Sequence, residues 1–466
     1  MPIPSTIPVP SPSEIKALLF PNGKMNPPAL PNIWQAKALL TPPGSTTVGG
    51  TPRDELIAAI FTYDCTTTVP LLRAQLYALE SLKYFDLLFA SDSGSNLWWS
   101  LQSDPSMPDD PPTKISSAFT SSIVVPAPSL FASEFTHVGS WKTVGRQSHA
   151  FSGRRTANPS TWIWLDAQRN RYRRMMNVDS SNDFGLPILG SFYFVDFTTF
   201  DPLVRSDLPT LFAEASKDTP GVLAIRTYRD LASAMVSPEL GGGIACKFTD
   251  IQSILPGLEA VNPGAVPPKW TDSVHSQCFM MGQDSYPYYC QLWYDWNRGC
   301  QVTVFVQKTG GDEYEGRFDE FLPKGRVGPA VIYRWSGTQW EAVCSQANGG
   351  FVPMPVPDFV TAGRATCRAS FRGSDYFGDL TIWSVALGDQ NSGWSDFWYW
   401  FDHAGRGVIF SLAPARSLTL IDYQTFDQNP AIPADVFKDP TPSIPACADN
   451  NLMALSARPR FRPIHH

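Results

Sequence analysis

Two short aromatic runs limit what this chain can become: WIWLD at Trp162–Asp166 returns as WYWFD at Trp398–Asp402. Bulky side chains alternating up to an aspartate are the pattern of a strand, because successive strand side chains point to opposite faces. Other echoes flank them. TVGRQSHAFSG at Thr143–Gly153 is answered by TAGRATCRASFRG at Thr361–Gly373, and DFTTFD at Asp196–Asp201 by DYQTFD at Asp422–Asp427. Earlier, LPNIW ending at Trp34 matches VPPKW ending at Trp270, each followed by a Tyr-Asp pair, Tyr63-Asp64 and Tyr294-Asp295. Four echoes in one order imply two copies of one β-rich unit. The copies are expected at about 29–215 and 266–440. A Gly- and Pro-containing connector with a short helix falls over 216–265, and a tail over 441–466.

Between the echoes the chain is a series of short apolar runs rich in β-branched and aromatic residues, such as SFYFVDFTTF, YYCQLWYDW and CQVTVFVQ, separated by Gly, Pro, Asn and Asp. These read as antiparallel strands and hairpins, so the expected fold class is mainly β. Helical periodicity is confined to Leu208–Ala215 and Tyr228–Met235, while Pro70–Leu82 fits helix or strand. Eleven prolines fall within residues 1–43. The spacing of Pro2, Pro4, Pro8, Pro10 and Pro12 favours extended polyproline-like backbone, and residues 1–28 are read as an N-terminal arm.

Charge and motifs then exclude several classes of function. Charged residues are only 17% and the net charge is −7, which gives no long-range attraction for a phosphate backbone or an anionic membrane surface. No basic flank with an apolar run opens the chain and no stretch reaches membrane-spanning length, so a cytoplasmic protein without membrane insertion is expected. The eight cysteines include no CxxC pair and read as reduced, packed thiols. The familiar catalytic loops and metal-binding helices are missing, and His137, His149, His275 and His403 are not spaced as ligands on one element. No metal and no cofactor are expected.

The opening L/V-P-x-x-W, the strand ending in Tyr-Asp, the aromatic strand ending in Asp, and the closing Asp-Phe/Tyr strand followed by IPADVF (Ile432–Phe437) resemble the family of the indole-rearranging enzyme of violacein biosynthesis. The closing segment is also similar to ependymin-related proteins. Both share the lipoprotein-carrier (LolA-like) fold. The resemblance implies two tandem, curved antiparallel half-barrel sheets with a few helices. It also implies catalysis without metal, flavin or nucleotide, in which a curved sheet holds an aromatic intermediate. The family's strand Tyr and Ser fall on Ala38 and Leu40 in the first copy, where neither can transfer a proton, and on Val274 and Ser276 in the second. The family's Arg before the closing Asp is replaced by Val195 and Ile421.

Four residues of the second copy are therefore candidates for proton handling: His275 or Ser276, near Tyr294 and Asp295. Adjacent strand residues face opposite sides, so only one of His275 and Ser276 can face a cavity. Trp162, Trp164, Trp293, Trp398 and Trp400 offer a flat-sided surface for a planar hydrophobic ligand, or else fill a core or the interface between copies. Arg169 and Arg171, with Arg173, form a row for an anionic ligand group or a solvated hairpin face. The aspartates recurring at strand ends suit turn and strand-end hydrogen bonding. The preferred function is a cofactor-independent cyclase or isomerase of secondary metabolism acting on an aromatic or polycyclic hydrophobic molecule. The alternatives are a non-catalytic carrier of lipid or pigment and a structural or assembly protein. The expected partner is a small hydrophobic molecule rather than nucleic acid, and a homodimer is left open.

Overall fold

In the computed structural model of the protein, the residues described are 9–41, 55–66, 71–92, 95–102, 113–114, 119–121, 128–153, 161–167, 171–177, 194–203, 223–224, 244–282, 286–321, 330–346, 356–362, 365–385, 397–412 and 419–437. The chain is mainly β, with two large antiparallel sheets, and neither closes into a barrel among these residues. Leaving aside two- and three-residue strands, the first sheet contains β1 (Ile33–Thr41), β2 (Ile57–Asp64), β3 (Leu71–Ala78), β4 (Lys83–Asp92), β5 (Ser95–Gln102), β6 (Phe135–Thr143), β7 (Arg146–Gly153), β8 (Thr161–Asp166), β9 (Tyr172–Asn177) and β10 (Phe194–Pro202). The second contains β11 (Ser273–Met281), β12 (Tyr288–Asp295), β13 (Cys300–Gly310), β14 (Glu313–Phe321), β15 (Ala330–Trp335), β16 (Trp340–Gln346), β17 (Ala365–Ser374), β18 (Gly378–Val385), β19 (Phe397–Asp402), β20 (Gly407–Leu412) and β21 (Thr419–Gln428).

Both sheets follow one route. The chain starts in mid-sheet, walks outward by hairpins to one edge, crosses to the other edge, and returns until its last long strand pairs antiparallel with its first. That closing pair is β10 against β1 in the first sheet and β21 against β11 in the second. A register shift interrupts both closing pairs at equivalent places, between Lys37 and Ala38 and between Gln277 and Cys278. The aromatic runs occupy β8 and β19, the same place in the strand order. The segment Pro70–Leu82, ambiguous by pattern, contains strand β3. The expected helices at Leu208–Ala215 and Tyr228–Met235 lie outside the described residues.

Three apolar clusters organise the packing. One face of each sheet contributes to a shared inner cluster containing Trp141, Trp162, Trp164 and Phe194 from the first sheet and Phe279, Trp293, Trp398 and Trp400 from the second. The opposite, outer faces have their own clusters. That of the first sheet is capped by Phe131 of α2 (Pro128–Glu134) and that of the second by Val360 of α4 (Phe359–Ala362). Strand alternation explains the division: in β8, Trp162 and Trp164 point inward while Ile163 and Leu165 point outward, and in β19 Trp398 and Trp400 point inward while Phe397, Tyr399 and Phe401 point outward.

The reading of residues 1–28 as an extended arm needs correction. Pro12–Leu19 forms helix α1, started by a capping box in which Ser11 Oγ accepts from the Glu14 N–H and the Glu14 carboxylate accepts from the Ser11 N–H. Pro12 stands where its missing N–H does no harm. Ile15 and Leu19, one turn apart, are buried in the inner cluster, and Leu19 rests on Gly139 so closely that a Cβ there would lie 2.7 Å from its Cδ2. The Trp340 indole N–H donates to the Pro10 carbonyl at 3.3 Å, tying the segment to the second sheet. The connector likewise contributes α3 (Phe248–Ile254), whose Ile251 and Ile254 join the inner cluster.

The cysteines also depart from expectation. Cys65, Cys246, Cys278, Cys290, Cys300 and Cys367 are thiols, but Cys344 is disulfide-bonded, a state that persists chiefly in oxidising compartments. Among the described residues no helix is long and apolar enough to cross a membrane.

Candidate functional site

The tryptophans expected to line a ligand surface instead form the contact between the sheets. Trp162, Trp164 and Trp400 are fully buried and Trp398 is 1% exposed. Trp162 stacks on Trp164 at 6.0 Å, Trp164 meets Trp141 edge-on, and Trp400 packs on Phe194 of the other sheet at 5.4 Å. The Trp162 indole N–H donates across to the Gly282 carbonyl at 3.1 Å. The interface reading of these rings is the one the geometry favours.

At the centre of that contact lies a charged cluster in which Asp196 and Asp422, expected to make strand-end hydrogen bonds, instead hold a buried arginine. Arg174 on β9 sits opposite Trp164 and points into the inner cluster. Its Nε donates to Asp196 Oδ1 and its Nη1 to Asp422 Oδ1, both at 2.9 Å. Those aspartates open the DFTTFD and DYQTFD echoes, so one arginine holds the same position from each repeat. Tyr376 donates to Asp196 at 2.8 Å, while the Trp141 indole N–H and the Thr143 hydroxyl donate to Asp422 Oδ2. The guanidinium is also flanked by the rings of Phe194, Trp164 and Trp400 at 5.1–5.9 Å.

Burial raises the pKa of both carboxyls, with Arg174 pulling the other way. Burial works against the charged Arg174, and the two aspartates outweigh it, so its pKa is raised. Each of these groups is bonded to another, although Asp196 Oδ2 and Arg174 Nη2 find no hydrogen-bond partner among the described residues, and the cluster ties one sheet to the other.

The four catalytic candidates divide between two faces. Ser276 pairs with Leu292, and Val274 with Tyr294, on the outer face of the second sheet. His275 and Asp295 point the other way. His275 is 22% exposed at the margin of the inner face, its ring 4.8 Å from Trp293, its Nε2 3.1 Å from the Gln291 amide nitrogen and its Nδ1 3.6 Å from Asp427. Burial lowers its pKa against the attraction of Asp427. Asp295 caps the following turn by accepting from the Arg298 N–H at 3.0 Å, as Asp64 does from Thr66 and Asp402 from Ala404. The structure therefore brings together Ser276 and Tyr294 and removes His275 and Asp295 from them.

Ser276 is fully buried and its hydroxyl finds no hydrogen-bond partner among the described residues. Around it on the same face lie Val274, Tyr294 and Phe426, and beyond these Cys278, Tyr288, Cys290 and Phe305. Burial raises the Tyr294 pKa, so its phenol keeps its proton at neutral pH. Trp293 belongs to the inner cluster, not to this face.

Among the described residues the arginine row does not form a clamp. Arg169 lies outside the described residues. Arg171 is partly exposed, 3.9 Å from Asp201. A register shift between Trp164 and Leu165 puts Arg173 out of alternation, and it is buried with its guanidinium 4.5 Å from the Tyr376 ring and 3.9 Å from Asp166. Among the described residues no three His, Cys, Asp or Glu side chains converge as metal ligands.

Fold and site together define a two-sheet, mainly β protein with one outer face carrying a buried, unpaired hydroxyl. No family model matches the chain, and no curated protein matches it. Among solved structures, a crystal structure of a DUF1329 family protein from Desulfovibrio piger is similar with a TM-score of 0.22 and 12% identity, over 40% of this chain and 91% of that one. At that score the likeness carries no argument.

Proposed function

We propose that this chain is two tandem units of the lipoprotein-carrier (LolA-like) type and binds a small hydrophobic or aromatic molecule on the outer face of its second sheet. The observation that carries the reading is the Ser276 hydroxyl, buried without a partner among the described residues. A buried hydroxyl left unpaired costs about 1–3 kcal/mol, which a polar atom on an otherwise apolar ligand would recover. Tyr294, protonated at neutral pH, is a donor on the same face. The finer reading is a cofactor-independent cyclase or isomerase of an aromatic intermediate, with Ser276 and Tyr294 steering protons and the apolar face excluding water. In that reading His275 and Asp295 have no part in the chemistry.

The test is mass spectrometry of small molecules extracted from the natively purified protein, set beside Ser276→Ala. A hydrophobic molecule bound to the wild type and about tenfold more weakly to the variant is expected, equivalent to about 1.4 kcal/mol for one lost hydrogen bond. Absence of any such molecule from the wild type, or equal binding by both, would sink the reading.

A further inference from the structure

The outer face of the first sheet carries a chain of polar side chains that the proposed ligand face does not use. His137 and Ser140 lie on β6 and His149 on β7, with Ser140 and His149 directly opposed in the hairpin. All three are buried, at 2%, 4% and 8% exposure. The Met25 N–H donates to His137 Nδ1 at 3.1 Å, and a backbone N–H cannot reverse its role. Neutral His137 therefore carries its proton on Nε2, 3.1 Å from Ser140 Oγ, and donates it there. The Ser140 hydrogen is then directed at His149 Nδ1, only 2.7 Å away. The Ala167 backbone and the Asp166 carboxylate both act on the His149 ring in the direction that favours its protonated form. Burial lowers the pKa of both imidazoles, that of His137 to about 4, so both are neutral at pH 7 and His149 is free to accept a proton.

The second sheet shows that the fold does not require this chain. It has the same β-bulge, after Cys367 where the first has it after His137. The residues in the matching places are Cys367, Ser370 and the paired Thr381, with no imidazole among them. The histidines thus belong to the first sheet alone. Phe20 and Phe151 lie 5.2–5.3 Å from the His137 ring, and Phe131 packs on Phe151, so the surroundings are apolar and aromatic. The segment that covers His137, from Phe20 to Met25, has Pro21–Lys24 exposed to solvent.

We propose that Ser140 is an acyl-accepting nucleophile, with His149 as its base, acting on esters whose acyl group is apolar. This goes beyond the ligand-binding reading and rests on the other sheet. A nucleophile within hydrogen-bond reach of its base is what such a step needs, and Ser140 and His149 meet at 2.7 Å. Ser140 Oγ bonds to the ester carbonyl carbon while its proton passes to His149 Nδ1. The C–O bond to the alcohol then breaks, and the leaving oxygen takes that proton. A water molecule, deprotonated by His149, attacks the acyl-serine, releasing the carboxylic acid and restoring the hydroxyl. Ester and water give acid and alcohol, with no oxidant or reductant.

The full-length protein is treated with an alkyl fluorophosphonate, and the labelled residue is mapped by peptide mass spectrometry. The same samples are assayed with a p-nitrophenyl ester of a short fatty acid. The expected result is an adduct on Ser140, none in Ser140→Ala, and labelling slowed about 100-fold in His149→Gln, the lower end of what a general base contributes. Should His149→Gln fail to fold, the pH profile of wild-type labelling decides, because protonation of His149 must slow it in acid. No adduct on Ser140, an adduct indifferent to His149→Gln, or a labelling rate flat in pH overturns the proposal. None of these outcomes depends on whether a ligand binds near Ser276.

Discussion

Arg174→Ala is the sharpest test of how the two sheets are joined. The substitution removes a guanidinium that donates to Asp196 and Asp422 at 2.9 Å and leaves two carboxylates, 0% and 1% exposed, without their cation. Breaking a buried ion pair by removing one partner costs about 3–5 kcal/mol, because the remaining charge stays buried. The packing of the guanidinium against Phe194, Trp164 and Trp400 is lost as well, so a loss of about 4 kcal/mol is a conservative expectation. Urea unfolding followed by tryptophan fluorescence, with circular dichroism as a second probe, measures it at pH 7.

The variant also has a pH signature. Burial already raises both carboxyl pKa values in the folded protein, and without Arg174 only the hydrogen bonds from Tyr376, Trp141 and Thr143 oppose it. A carboxyl whose folded pKa lies above its unfolded value stabilises the fold at low pH and loses that contribution as pH rises through the folded pKa. The defect of Arg174→Ala should therefore shrink between pH 7 and pH 5. Adding Asp196→Asn and Asp422→Asn to an Arg174→Met background should recover part of the loss at pH 7, since buried ions removed together cost far less than one removed alone. A loss below about 1 kcal/mol for Arg174→Ala, or a defect unchanged by acid, would refute the reasoning.

Three further outcomes are expected. Leu19→Ala should lower stability by about 2–4 kcal/mol, and deletion of residues 1–20 should lower the thermal midpoint, because α1 seals the inner cluster at Gly139; an unchanged melt would show that α1 does not pack there. His137 has its pKa depressed to about 4, so its share of stability, present above its unfolded value near 6.5, is lost as pH falls toward 4. Urea midpoints of the wild type should accordingly fall more than those of His137→Gln over that range, and parallel curves would contradict the assignment. Alkylation in denaturant without reductant should modify Cys278, Cys290 and Cys367 but spare Cys344 until a reducing agent is added.

Local pattern carried the strands well and their partners poorly. WIWLD and WYWFD were legible as strands with both tryptophans on one face, and β8 and β19 bear that out. Period-two alternation says which side chains share a face but not what will cover it, so a ligand surface and a sheet contact looked alike in the sequence. Arg174 was hidden for a related reason. It stood at the end of a charge run that reads as solvated; alternation turns Arg174 inward, and the register shift at Trp164 separates buried Arg173 from partly exposed Arg171.

The recurrence of Asp196 and Asp422 was visible, but the shared arginine that gives it meaning comes from one copy alone. Helix α1 had a readable signal in Ser11, Pro12 and Glu14 followed by Ile15 and Leu19, outweighed by the proline spacing around it. The chain of His137, Ser140 and His149 had almost none. Three positions three and nine residues apart meet because the hairpin turns at Val144 and Gly145, both at positive φ, and because a bulge resets β6.

The account stands or falls on whether the tryptophans of β8 and β19 face each other's sheet or open space. Hydroxyl-radical footprinting of the native full-length chain, read residue by residue, addresses this directly. Trp162, Trp164, Trp398 and Trp400 should remain unmodified until the protein unfolds, with exposed Tyr286 reacting freely, and added hydrophobic compounds should change nothing at the four. Ready modification of Trp398 or Trp400 in the native protein, suppressed by an aromatic ligand, would contradict it and restore those rings to a binding surface.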